Sequence, residues 1–399
     1  MLAATKVNGF ANRNQCCGAH PPRDLVYALA IFTFSAVVFL GVAFPFAGIV
    51  SWVERRVWAR MQSRCGPNRV GPNGFLQWLA DGLKHVCKED LIPAESDETL
   101  FKMAPYLVIL AFTLPWAVMP FSSSLILADL NVGILYMTSV TALTVVGVLM
   151  AGWASNDKWS LIGGIRSAAQ IVSYEIPAGL SIFPVVLMTG TLSMQGIIQA
   201  QGWAPWHWFA FSNPFTFLAA NVLYISALAE GNRTPFDLPE AESELVAGFA
   251  TEYSGMRYLF FFAAEWGNLF IIGAIITTLF LGGWQFPHVT SNPIVMNILE
   301  LVTFNVKVLF LVFVSMWVRG TLPRVRIDQL MSLCWKYLVP ISFVNMVGTA
   351  VWMAIWPDGN SIAPWVMLAL FLAVLAVFLG RVLHYFRRSR MELYLSPTI

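Results

Sequence analysis

Between Glu175 and Glu230 the chain contains no Asp, Glu, Lys or Arg. A hydrocarbon core is crossed by about 20 apolar residues in a helix, so residues 176–229 hold two crossings joined by a turn. Runs of comparable length lie near 25–52, 103–127, 131–154, 167–189, 212–230, 256–283, 294–318, 329–356 and 362–383, nine in all. In lipid every backbone polar group must be satisfied internally, and continuous apolar runs of this length read as helices. The expected fold is an all-α integral membrane protein with about nine tilted transmembrane helices. A chain 57% hydrophobic and 12% charged is excluded from the soluble globular class, in which about a quarter of residues are charged. The first run is too long for a signal-peptide core and reads as a retained span.

Loop charge sets the orientation. With nine spans, loops 52–102, 155–166, 231–257 and 319–328 share one side with the C-terminus. That side and its helix ends carry all of the 24 Lys and Arg residues except Lys6, Arg13, Arg23 and Lys307. It is therefore expected to be cytoplasmic, with the N-terminus periplasmic. The opposite side carries Trp203, Trp206 and Trp208, as an aromatic belt would. Pro45, Pro105, Pro115, Pro177, Pro184 and Pro340 fall within spans. Each frees a carbonyl that neighbours or water must satisfy, which predicts partly kinked helices around a cavity.

The first charged loop opens with Arg55, Arg56, Arg60, Arg64 and Arg69, a cluster that topogenesis and contact with anionic lipid also explain. Its GPNRVGP turn has two Gly-Pro pairs, which impose a non-helical path. Phe75, Leu79, Leu83 and Val86 then recur at helical spacing, with Asp81, Lys84 and Lys88 elsewhere on the helix. This predicts an interfacial amphipathic helix, on which Asp81 has Lys84 or Lys88 as an ordinary partner. Five cysteines show no CxxC spacing, and Gly-rich nucleotide and Walker-type loops are absent. The chain is expected to hold no metal or iron–sulfur centre of its own.

The segment 230–255 crowds Glu230, Asp237, Glu240, Glu242, Glu244 and Glu252 around a single base, Arg233. Asp237 and Glu240 fit a capping box for a helix opening near Pro239. Capping leaves Glu242 and Glu244 unexplained, and Glu240 and Glu244 repel at i, i+4. Arg64, Arg69, Arg324 and Arg326 share that membrane side as candidate partners. Glu175, Glu265 and Lys307 lie inside spans, where an ionisable group usually marks an ion or proton pathway. Glu300, nearer a span end, reads as structural.

The motifs ERRxxxRxQxRxGPNRVGP, LQxLADGLK, QxxSYEIP, NRTPFDLPEAESELVAGF, EYSGM, AEW and GTLPRVRxDQLM, in this order, resemble one family. It is that of the membrane subunit of NADH:quinone oxidoreductase, respiratory complex I, which in mitochondria is subunit 1. The match runs from about Trp52 to Leu338. The resemblance implies a subunit without a redox centre that joins the membrane arm to the peripheral arm and lines a tunnel for quinone, the substrate. Flavin and iron–sulfur clusters are then expected on partner subunits, with small membrane subunits as further neighbours, in a bacterial inner membrane. The matching tunnel and loop positions are Arg55, Arg64, Asp81, Arg233, Asp237, Glu240, Glu242, Arg324 and Arg326. Those matching the proton-coupling acids are Glu175, Glu230, Glu252 and Glu265; Lys307 joins them on its position in a span. Gly231 replaces the family's usual Thr, and Trp266 its usual Tyr.

The chain is thus expected to divide into a polar tail (1–24), a core of eight spans (25–356), and a ninth span with a basic C-terminal tail (357–399). Two other readings remain. One is the homologous anchor of a membrane-bound hydrogenase, which both complete loop motifs disfavour. The other is a stand-alone ion-coupled transporter, disfavoured by the one-sided charge.

Overall fold

The computed structural model describes residues 44–238, 242–287, 292–356 and 362–395. All regular structure among them is helical. In chain order the helices are α1 (Phe44–Met61), α2 (Gln77–Cys87), α3 (Glu98–Thr113), α4 (Gly133–Thr141), α5 (Leu143–Ala154), α6 (Lys158–Thr189), α7 (Met194–Ala200) and α8 (Phe209–Ser212). They continue as α9 (Pro214–Glu230), α10 (Glu242–Leu245), α11 (Gly255–Phe280), α12 (Pro293–Thr321), α13 (Ile327–Ser332), α14 (Val339–Ile355) and α15 (Ala363–Leu395).

Among the described residues six helical stretches are long and apolar enough to cross a membrane: Glu98–Ala117, Gly133–Ala154, Lys158–Thr189, Gly255–Phe280, Pro293–Thr321 and Ile327–Ile355. Pro214–Glu230 and Ala363–Val377 are shorter apolar stretches. Most of the first expected run, 25–43, lies outside the described residues. Its remainder is α1, which continues past Trp52 to Met61. Arg55, Arg56 and Arg60 therefore stand on a helix end and not in the loop expected to open at residue 52.

Two other starts also move outward, because a capping side chain fixes them. Asp97 accepts from the backbone of Thr99 and Leu100, so α3 opens at Glu98. Asp157 accepts from Trp159 and Ser160, so α6 opens at Lys158, well before the expected residue 167. α6 closes on Gly190 in the left-handed conformation. It packs mainly on α5, α9 and α14. α11, the most buried of the six stretches, packs on α3, α12, α1 and α2.

Two of the carbonyls freed by proline find other donors, as a dry interior requires. Pro105 leaves the Phe101 carbonyl without its helical donor, and the Tyr253 hydroxyl donates to that oxygen at 3.2 Å. Pro177 likewise frees the Ser173 carbonyl, which accepts from the Cys334 thiol at 3.1 Å. Pro340 follows a π-helical segment, Leu333–Leu338, that absorbs the break between α13 and α14.

Gly71 in the GPNRVGP turn and Gly74 just after it both have positive φ. A Cβ on Gly74 would stand 2.0 Å from the Pro67 carbonyl oxygen, so only glycine fits there. The amphipathic helix forms as α2. Leu79, Leu83 and Val86 are 45–58% exposed, so its apolar stripe faces away from the protein. Glu300 is buried and accepts from the Ser123 backbone and hydroxyl, tying α12 to the turn after α3, in keeping with its structural reading.

Candidate functional site

The acidic segment is built outward from α6. Gln170 donates from Nε2 to the carbonyls of Ala229 and Phe236, both at 2.7 Å. The Val325 amide donates to the Pro235 carbonyl at 3.0 Å. These bonds pin residues 231–238 between α6 and the start of α13 and turn Arg233 inward.

Arg233 is 2% exposed. Its guanidinium lies 3.3 Å from Glu265 Oε1 and 3.8 Å from Glu54 Oε2. Neither contact has hydrogen-bond geometry, and all three guanidinium nitrogens are buried without a hydrogen-bond partner. The charge rests instead on two carboxylates and on the face of Trp266, 4.3 Å from the ring centroid. Arg319 completes the cluster, donating to Glu54 Oε1 at 2.8 Å and lying over Trp58 at 4.5 Å. The buried Glu54 and the partly buried Glu265 thus balance two bases, as burial of charge demands. Beside them Arg324 donates to Asp237 Oδ2 at 3.1 Å, while Asp237 Oδ1 is buried without a partner.

A cavity of about 250 Å³ opens between α1, α2 and α11. Arg55 donates to Asp81 at 2.6 Å in its lining, and Gln77 donates to the other Asp81 oxygen. Asp81 thus pairs across to α1 and not with Lys84 or Lys88, because its side of α2 is turned towards the protein. Trp266 forms part of the cavity wall; the same ring carries Arg233.

Glu265 also lines a second, smaller space of about 50 Å³, together with Asn232, Glu230 and Thr141. Glu230 and Thr141 in turn line a third, about 450 Å³, with Glu175. Glu265, Glu230 and Glu175 therefore stand in series along adjoining cavities. Glu252 lines none of the three, and Lys307 stands apart. Its ammonium donates to the carbonyls of Leu281 and Gly283 at the end of α11 and lies over Trp208.

Of the partners expected for the acidic loop, Arg324 reaches Asp237, whereas Arg64 is exposed and donates to Gln62. Arg326 is exposed at the start of α13. Glu244 pairs instead with Arg166 of α6 at 2.7 Å, which helps offset the repulsion expected within the loop. Glu240 lies outside the described residues, as does the Glu242 side chain, so the capping box is described only at Asp237. Sequence reasoning does not reach Glu54 and Arg319 as site residues. The signal that could have found them is Glu54 itself, an isolated acid opening an arginine-rich run.

Among the described residues outside the membrane-spanning helices, Tyr253 and His85 are perturbed. Burial pushes the Tyr253 hydroxyl above its ordinary range. Burial, then Lys84 and Lys88, hold His85 below its ordinary value against the opposing pull of Asp81.

Residues 34–350 match the NADH dehydrogenase family. The chain is 52% identical to the NuoH membrane protein of the NADH-quinone oxidoreductase of Anaeromyxobacter dehalogenans, over 85% of this chain and 84% of the relative. It is 45% identical to the NuoH protein of Chlorobium luteolum, over 84% of this chain and 92% of the relative. Against that of Rickettsia prowazekii it is also 45% identical, over 81% and 92%. The chain belongs to the NuoH family of NADH-quinone oxidoreductase, multi-pass membrane subunits of complex I whose partners are the other subunits of that complex.

Proposed function

We propose that this subunit lines the passage by which quinone enters complex I and links quinone reduction to proton movement through the membrane arm. The observation that carries the reading is the placement of Trp266. Its ring forms wall of the cavity between α1, α2 and α11 and bears the buried Arg233 cation. A change of charge or contact in the cavity acts on that cation at short range in a low dielectric. Arg233 in turn sets the field on Glu265, the first acid of the series leading through Glu230 to Glu175. Asp237, Arg324 and Arg326 lie on the loop side of the cluster, and Glu240 and Glu242 follow Asp237 in the same acidic segment of the sequence. There the peripheral-arm subunits, carrying flavin and iron–sulfur clusters, would dock and complete the quinone site. Glu252 and Lys307 have no place in this series, and for Lys307 the reading is a cap on α11.

The same proposal includes nine spans, with the N-terminus periplasmic and the charged loops cytoplasmic in a bacterial inner membrane. Residues 25–356 form the family core, and 357–399 add a span. The six long stretches, the two shorter ones and the end of α1 fit that count.

The test is Asp237→Asn, alongside Glu240→Gln, in the assembled complex. Each removes a charge while keeping the side chain's shape. Loss of a charge-assisted hydrogen bond, worth about 1.5–3 kcal/mol, lowers quinone reductase activity roughly tenfold or more, with assembly and flavin content unchanged. Normal coupled turnover in both variants rules the reading out.

A further inference from the structure

The cavity between α1, α2 and α11 contains polar atoms that the protein itself leaves without partners. Arg55, Asp81 and Gln77 satisfy one another. Trp78 Nε1, Trp266 Nε1 and His85 Nδ1, by contrast, are buried and make no hydrogen bond, and all three residues line the cavity. A buried polar group without a partner carries a desolvation cost that a bound molecule can remove. None of the three belongs to the set of charged positions considered so far.

Their chemistry differs. An indole N–H only donates, so Trp78 and Trp266 fit a carbonyl oxygen and nothing that must itself donate. A neutral imidazole nitrogen donates in one tautomer and accepts in the other. The His85 ring is held in place, stacked on Tyr258 of α11 with centroids 5.6 Å apart. Its surroundings favour the neutral ring. Burial and Lys84 and Lys88 on its own helix disfavour the imidazolium, while Asp81 favours it more weakly. Across the cavity, the Arg55 cation of α1 is held by Asp81. Trp78 and His85 are two turns apart on the same face of α2, about 10 Å along the axis.

We propose that His85 is a head-group contact on the quinone path, donating from Nδ1 to a carbonyl of the oxidised ring and accepting at the same nitrogen from a hydroxyl of the reduced ring. It can donate to the molecule entering and accept the hydroxyl hydrogen of the molecule leaving, whereas the indoles and cations of the cavity can only donate. The inference rests on the reading of this cavity as the quinone passage.

The experiment uses the assembled complex in membranes, with a short-chain ubiquinone and its quinol as probes. His85→Leu removes the nitrogen, and His85→Asn keeps a donor–acceptor amide at the Nδ1 position. Loss of one neutral hydrogen bond raises the quinone KM and the quinol inhibition constant about 2- to 10-fold in His85→Leu. kcat is unchanged, as for a contact made equally in ground and transition states, and His85→Asn stays within about twofold of wild type. If His85→Leu does not assemble, His85→Gln, which moves the polar atom to the Nε2 position, must show the same two rises. A photoreactive quinone applied to the wild type separates the two levels of the argument. Labelling on α2 or α11 with unchanged constants in the Leu variant overturns the role of His85 and leaves the passage standing. A rise in the quinone KM alone, or equal impairment of Asn and Leu, overturns the two-tautomer contact. No labelling on α1, α2 or α11 overturns the passage and this inference with it.

Discussion

Arg233 is a cation with almost no solvent and no well-formed hydrogen bond. It tolerates this only because Glu54 and Glu265 face it and an aromatic face covers it. Breaking such an arrangement by removing one partner is costly because the remaining charge stays buried, whereas removing both partners is often cheap. Glu54 is 1% exposed and serves both arginines. We predict that Glu54→Gln destabilises the membrane arm by about 3 kcal/mol, read as a lowered thermal midpoint of the assembled complex. Glu54→Gln/Arg319→Gln should recover much of that loss. A double variant as unstable as the sum of the two singles would show that the pair is not coupled. Arg233, Glu265 and Asp237 were legible in the sequence because a charge in an apolar chain is conspicuous. Their partners were not. Glu54 and Arg319 are 265 positions apart, and no periodicity or spacing links residues at that range. Grouping acids by crowding within one loop also drew attention from an acid that stands alone.

At the scale of elements, apolar runs located the six long helices but not their ends. A hydropathy run stops at the first charge, whereas a helix stops where its capping is satisfied. α1 therefore carries three arginines past Trp52, and α6 opens at its Asp157 cap. Proline positions announced kinks, but the donors that repair them come from elsewhere in the chain and were invisible. The repair of Pro105 by Tyr253 can be tested as a cycle. Tyr253→Phe leaves the Phe101 carbonyl buried without a donor, at a cost of about 1–3 kcal/mol. In a Pro105→Ala background the helix supplies its own N–H to that carbonyl, so the same substitution should cost markedly less. The Phe101–Tyr253 ring stacking at 4.1 Å survives in both backgrounds, which isolates the hydroxyl. Equal costs in the two backgrounds, by thermal denaturation of the complex, would mean that the hydroxyl does not serve the kink.

For the whole molecule, the charged cluster, the cavity mouth and the outward apolar stripe of α2 gather near one end of the helices. The tryptophan-rich turn 203–208 follows α6 and α7 across the bundle. An interfacial helix at the mouth suits a ligand that arrives from lipid, because the stripe can sit in the bilayer surface while the opposite face of α2 forms cavity wall. If nine spans alternate, Cys65 and Cys87, both exposed free thiols, lie on the cytoplasmic side, and Trp203, 52% exposed, on the other. A membrane-impermeant maleimide should therefore label the native thiols in inside-out vesicles and a Trp203→Cys variant in right-side-out vesicles. Stripping peripheral subunits should increase labelling of the native thiols if that face docks the arm. Labelling of position 203 from the same side as Cys65 would change the parity of the spans between them. The acid series from Glu265 to Glu175 could then not start beneath the docking face, and the coupling route would have to begin elsewhere.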